Sequence, residues 1–160
     1  MFGNKKVDEK FLKASKEHVI IYQHIETFQK IIAAKNKDGL FHALKESLEA
    51  FEKDMQAHFE LEESVLFPAA LTCIASLETC DQVLKFQKEH GYFEKDLESI
   101  RQQMHHLIDE ERDVTEEALN GLADLLKGFK THALAESNLY SQMDAEKACQ
   151  RLLKGIAIPA

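Results

Sequence analysis

Along four stretches of the chain, apolar residues return at alternating three- and four-residue steps, the spacing that lines one face of an α-helix. The first stretch, roughly residues 8–36, carries Phe11, Ala14, His18, Ile21, Ile25, Phe28 and Ile32 on that rhythm, and it ends at the turn-forming run Asn36-Lys37-Asp38-Gly39. The second carries Leu44, Leu48, Phe51, Met55, His58, Glu62, Val65 and Ala69. Pro68 should kink or end it, because proline removes a backbone donor and crowds the preceding turn. After a few irregular residues, Thr79 with Gln82 resembles a capping box that opens the third stretch. That stretch repeats Val83, Phe86, His90, Phe93, Leu97, Ile100, Met104 and Leu107, and a charged run from Asp109 to Asp113 closes it. Asp113 can cap the fourth, with Glu116 and Glu117 in its favourable first turn. The fourth seam is Ala118, Leu122, Leu125, Phe129, His132, Glu136, Leu139 and Met143. Short connections predict an all-α, up-down-up-down antiparallel four-helix bundle, with its core at about residues 8–150 and a short apolar tail, GIAIPA, from Gly155 to Ala160.

Composition fits that reading. With 160 residues the chain suits one domain with a real core, and two prolines and six glycines suit long helices. A net charge of -8 argues against nucleic acid and against an anionic membrane surface as partners. No apolar run approaches the ~20 residues needed to cross a bilayer. The opening, MFGNKKVDEKF, lacks the apolar region of a secretory signal. Cys73, Cys80 and Cys149 make an odd count without disulfide-framework spacing, which suits a reducing cytoplasm and structural thiols.

The seams are interrupted by ionisable residues. His58 with Glu62, His90 with Glu94 and His132 with Glu136 form three copies of His-x-x-x-Glu, written HFELE, HGYFE and HALAE. Residues four apart lie on one helix face a turn apart, so each pair can aim an imidazole and a carboxylate at one point. Counted from the turns, these six residues and His18 fall at one depth along the bundle. His24 competes with His18 but lies off the seam and about 9 Å from that layer by helical rise. His18 is therefore the expected first-helix ligand, and His24 a flanking residue. His42, His105 and His106 fall near the far end of the bundle and are expected on the surface.

Burying three carboxylates and four imidazoles together without a counter-charge is costly. A metal centre resolves that cost, and a buried hydrogen-bonded network or a solvated channel is the alternative. Seven ligands exceed what one tetrahedral zinc takes. Two ions sharing bridging carboxylates would use them, and mixed imidazole and carboxylate ligation suits iron or manganese. Tyr22 and Tyr140, one turn beyond His18 and Glu136, could hydrogen-bond a ligand or a bound oxygen species; otherwise they are amphipathic residues at the seam edge.

With these residues in place, the chain resembles the hemerythrin-like (HHE cation-binding) family. HFELEESVLFP is similar to that family's His-Phe-x-x-Glu-Glu followed by Leu-Phe-Pro, KEHVII to its first-helix histidine after an acid, and HALAES to its last motif. The resemblance implies two iron ions, oxo- or hydroxo-bridged, with Glu62 and Glu136 as bridging carboxylates. His18 and His58 would hold one iron, and His90, Glu94 and His132 the other. Oxygen-carrying members have histidine where this chain has Glu94. An added anionic ligand would lower the reduction potential and disfavour simple oxygen carriage. The expected function is a diiron protein that binds or responds to O2, NO or peroxide, or handles iron. The alternatives are a diiron peroxidase, catalase or NO-reducing enzyme, or a structural bundle with a vestigial site.

Overall fold

The apolar rhythm is realised as six α-helices and one π-helical turn among the residues described by the computed structural model, 5–33, 40–109 and 116–154. In chain order they are α1 (Lys5–Ala33), α2 (Leu40–Leu61), the π turn (Glu62–Leu66), α3 (Phe67–Cys73), α4 (Leu77–Asp109), α5 (Glu116–Ala145) and α6 (Lys147–Lys154). The architecture is all-helical, and the four long helices pack in a closed ring: α1 on α2 and α5, and α4 on α2 and α5. Asn36–Gly39, Asp113 and Gly155–Ala160, expected as turn, cap and tail, lie outside the described residues.

The seams converge into two apolar clusters. One gathers Ile21, Phe28, Phe51, Met55, Phe93 and Phe129 with their neighbours. The other gathers Ala14, Leu61, Phe67, Phe86, Leu139 and Met143 with theirs. Each fully buried large side chain contributes about 1.5–3 kcal/mol by leaving water. The two clusters divide each helix at its polar seam residue. On α1, Ala14 belongs to one and Ile21 to the other, with His18 between; on α4, Phe86 and Phe93 flank His90 in the same way. The ionisable residues thus occupy a layer between two apolar masses.

Three local expectations change. Pro68 does not end the second helix by itself. The break falls earlier, in the π turn that begins at Glu62, and Pro68 sits in the first turn of α3, where a missing N–H costs little. The wider turn lets Val65, Leu66 and Phe67 all be buried in succession. The cap of α4 is Ser76, not Thr79. The Ser76 hydroxyl accepts the Thr79 N–H at 3.1 Å, so Thr79 is already in the first helical turn.

The third change concerns the cysteines. Cys73, closing α3, is disulfide-bonded to Cys149 of α6, with Cα atoms 5.1 Å apart, while Cys80 is free and exposed. The expectation of unpaired structural thiols is corrected for this pair. Sequence spacing could not show it, because folding brings together two residues 76 positions apart. Cysteine count therefore no longer supports a reducing compartment. No helix among the described residues is long and apolar enough to cross a membrane.

Candidate metal centre

Six ionisable side chains meet in the layer between the apolar clusters. Helix α1 brings His18, α2 His58, the π turn Glu62, α4 His90, and α5 both His132 and Glu136. None is more than 4% exposed. They form two groups, each able to surround one ion: His18, His58, Glu62 and Glu136, and His90, His132, Glu62 and Glu136. Both carboxylates belong to both groups.

Each carboxylate spreads its two oxygens across the centre. Glu62 Oε1 lies 2.8 Å from His58 Nε2 and 3.7 Å from His18 Nε2, while Oε2 lies 3.2 Å from His90 Nε2. Glu136 Oε1 lies 3.1 Å from His132 Nε2 and 3.6 Å from His18 Nε2, and Oε2 lies 3.3 Å from His90 Nε2. The Nε2 atoms of His90 and His132 are 3.1 Å apart. Two imidazole nitrogens bound at right angles to one ion at ~2.1 Å stand about 3 Å apart, so this spacing suits a shared metal.

The outward ring nitrogens are also engaged. His58 Nδ1 bonds Glu17 at 2.8 Å, His90 Nδ1 bonds Glu63 at 2.9 Å, and His132 Nδ1 bonds Glu89 at 3.0 Å. Among the described residues His18 Nδ1 meets only a neutral oxygen, Ser137 Oγ, at 3.4 Å, and that hydroxyl donates to the Ala133 carbonyl. A partner on Nδ1 leaves Nε2 facing the centre and raises its basicity. Sequence reasoning did not assign this outer ring. Its signal was adjacency: Glu17 and Glu89 each precede a site histidine yet support one on a neighbouring helix, and Glu63 follows Glu62.

Aromatic rings seal the layer. Phe59 stacks on His90 with centroids 3.7 Å apart, and Phe86 and Phe93 meet His132 edge-on. Tyr140 is buried and its hydroxyl donates to Glu62 Oε1. Tyr22 is half-buried, its ring 6.4 Å from that of His18, and it packs against the cluster containing Ile21.

The electrostatics without metal show what the site lacks. Burial alone would drive the histidines neutral. Against it, the Glu62 charge and the Glu17 bond push His58 up to about 10. Burial likewise opposes charge on His90, but its bonds to Glu136 and Glu62 push it up to about 10. Burial would raise Glu62, yet the charge of His58 and bonds to three imidazoles hold it well below the usual carboxylate range. Protons thus supply the positive charge the two carboxylates need. Even so, the buried atoms His18 Nε2, His58 Nε2, Glu62 Oε2 and Glu136 Oε1 meet their partners as ion pairs that lack the alignment of a full hydrogen bond. With those protons displaced, four imidazole nitrogens and two carboxylates would fit a cation, and the donor set fits iron or manganese.

Glu94, expected as the seventh ligand, is not part of either group, and its side chain is exposed. It lines a surface groove with Gln56, Phe59, Glu60, Glu63 and Ser64. On α4 the buried arc runs through Phe86, His90, Phe93 and Leu97. That arc steps by three from His90 to Phe93, and Glu94 lies about 100° around the helix from Phe93. At the other two motifs the fourth residue is inward, and Glu62 and Glu136 are both 0% exposed. The structure thus brings four imidazoles and two carboxylates together and leaves Glu94 apart from them. His24 also stands outside both groups; its Nε2 lies 2.7 Å from Asp54 Oδ2. His42, His105 and His106 are exposed.

A family model described as the Hemerythrin HHE cation binding domain matches residues 15–143, a span that contains all six donors. No curated protein and no solved structure gives a match.

Proposed function

The chain belongs to the hemerythrin HHE cation-binding domain family, and we propose that it is a dinuclear iron protein that binds O2, NO or peroxide at the buried centre. The observation that carries this reading is the sharing of Glu62 and Glu136 by two donor groups. On it, His18 and His58 would hold one ion and His90 and His132 the other, with Glu62 and Glu136 available to both. The ring of helix contacts and the short connections support an up-down-up-down arrangement around this layer. Family membership carries metal-cation binding; two ions, iron as the native metal and a diatomic or peroxide ligand are the proposal.

Iron held by such a donor set supplies one-electron chemistry together with coordination positions that the protein leaves open. The chain's own contribution is preorganisation. Glu17, Glu63 and Glu89 hold three imidazoles with Nε2 inward. Phe59, Phe67, Phe86 and Phe93 line the histidines and keep bulk water from the layer. Burial, followed by the charges of Glu62 and Glu136, raises the Tyr140 hydroxyl well above its ordinary value, so its proton stays on Oη and points at Glu62.

That phenol favours a second reading, an enzyme reducing peroxide or NO. A buried O–H beside a bridging carboxylate can deliver a proton inside a water-poor site. Metal analysis of anaerobically iron-loaded protein tests the first reading: two irons per chain are expected, and one or none would sink it. Peroxide or NO turnover by the loaded protein, lost in Tyr140→Phe, would favour the enzyme.

A further inference from the structure

We infer that the two metal positions are unequal: the His90/His132 position fills first and holds its ion, while the His18/His58 position is the weak, exchangeable one. This rests on the two-ion reading above.

Three independent features separate the positions. The first is spacing. His90 Nε2 lies 3.1–3.3 Å from His132 Nε2, Glu62 Oε2 and Glu136 Oε2, in contact with each of the other three residues of its group. In the other group His58 Nε2 lies 2.8 Å from Glu62 Oε1, whereas His18 Nε2 stands 3.7 Å from Glu62 Oε1 and 3.6 Å from Glu136 Oε1. His18 is thus held farther from the two shared carboxylates than His90 is.

The second feature is the outer ring. Both imidazoles of the His90/His132 position are backed by carboxylates, Glu63 and Glu89. At the other position His58 has Glu17, but among the described residues His18 has only the Ser137 hydroxyl, at 3.4 Å. A bond to an ionised acceptor is roughly twice as strong as one to a neutral acceptor. Loss of such a partner typically costs 10–100-fold in metal affinity. Glu63 and Glu89 are thus positioning residues for the tight site, and His18 is the least supported ligand.

The third feature is side-chain packing. His90 is stacked between Phe59 and Phe67, and His132 is met by Phe86, Phe93 and Phe129. These apolar contacts hold two rings in place before any ion arrives, the preorganisation a tight site requires. His18 is flanked by His58, Tyr22 and Tyr140, with centroids 4.5, 6.4 and 6.1 Å away.

The test is an anaerobic titration of the metal-free full chain with Co(II), followed by calorimetry and visible absorption. Two equivalents are expected, with affinities differing at least ~10-fold. His18→Ala should remove the weak equivalent and leave the tight one, and His132→Ala should do the reverse. Glu89→Gln, which preserves shape, should weaken the tight step by ~10–100-fold, with Glu89→Asp restoring part of it. Two equivalents of equal affinity, or loss of the tight step in His18→Ala, would overturn the inference while leaving the two-ion reading intact. An unchanged tight step in Glu89→Gln would overturn the role given to the outer carboxylates. A single equivalent in the unaltered protein would overturn the two-ion reading and the ordering with it.

Discussion

The hydroxyl of Tyr140 donates to Oε1 of Glu62, joining α5 to the π turn across the centre of the bundle. Both residues are buried, so the bond forms away from solvent competition. A hydrogen bond to a charged acceptor contributes about 1.5–3 kcal/mol. Tyr140→Phe keeps the ring and its packing and removes only the donor. Urea unfolding of the metal-free protein should show a loss of roughly that size. A change within experimental error would mean that Glu62 finds an equivalent donor without the phenol.

Stability and metal uptake should respond to pH in opposite directions. His58 and His90 are raised from near 6.5 to about 10 in the metal-free fold. A group raised on folding stabilises fully below its unfolded pKa, and that contribution fades as pH climbs through the folded one. The metal-free protein should therefore lose stability from about pH 6.5 toward 10. Glu62 has the opposite sign: held low, it stabilises above the ordinary carboxylate range, and its contribution is lost in acid. An ion must displace the protons on the Nε2 atoms, so loading should release protons and tighten as pH rises. Proton release in weak buffer with an indicator dye measures this. Metal affinity that is flat with pH would contradict the protonated centre.

How far the centre could be read from sequence turns on one helical angle. Alternating steps of three and four identify the helices because burial selects a face, and Phe28, Phe51 and Phe129 fill it completely. The same alternation leaves open whether the residue three or four after a histidine faces inward. At His58 and His132 the fourth residue does, as Glu62 and Glu136; at His90 the third does, as Phe93. Periodicity cannot separate these cases, because both lie within one broad stripe. The Cys73–Cys149 pair and the cross-helix acids Glu17, Glu63 and Glu89 depend on which helices touch, and that is information no single seam contains.

The exposed position of Glu94 makes a plain prediction. Glu94→Ala should bind as much metal as the unaltered chain, with the same affinity, whereas Glu62→Ala should lose both ions because that carboxylate serves both groups. Metal analysis after equilibrium dialysis decides it. A loss of even one ion in Glu94→Ala would restore that residue as a ligand.

The cysteines offer a test that does not depend on metal. Of the three, Cys73 and Cys149 are paired and Cys80 is exposed, so native protein should show one reactive thiol and reduced, unfolded protein three. The bond ties α3 to α6, a helix of only 8 residues that would be marginal alone. Its cross-link closes a long loop and constrains the unfolded chain, an effect typically worth about 2–4 kcal/mol. Cys149→Ser should lower stability by about that much and speed proteolysis within Lys147–Lys154. The metal layer should be less affected, because its donors come from α1, α2, α4, α5 and the π turn. If Cys149→Ser abolished metal binding while the helical content survived, α6 would be part of what holds the centre in place.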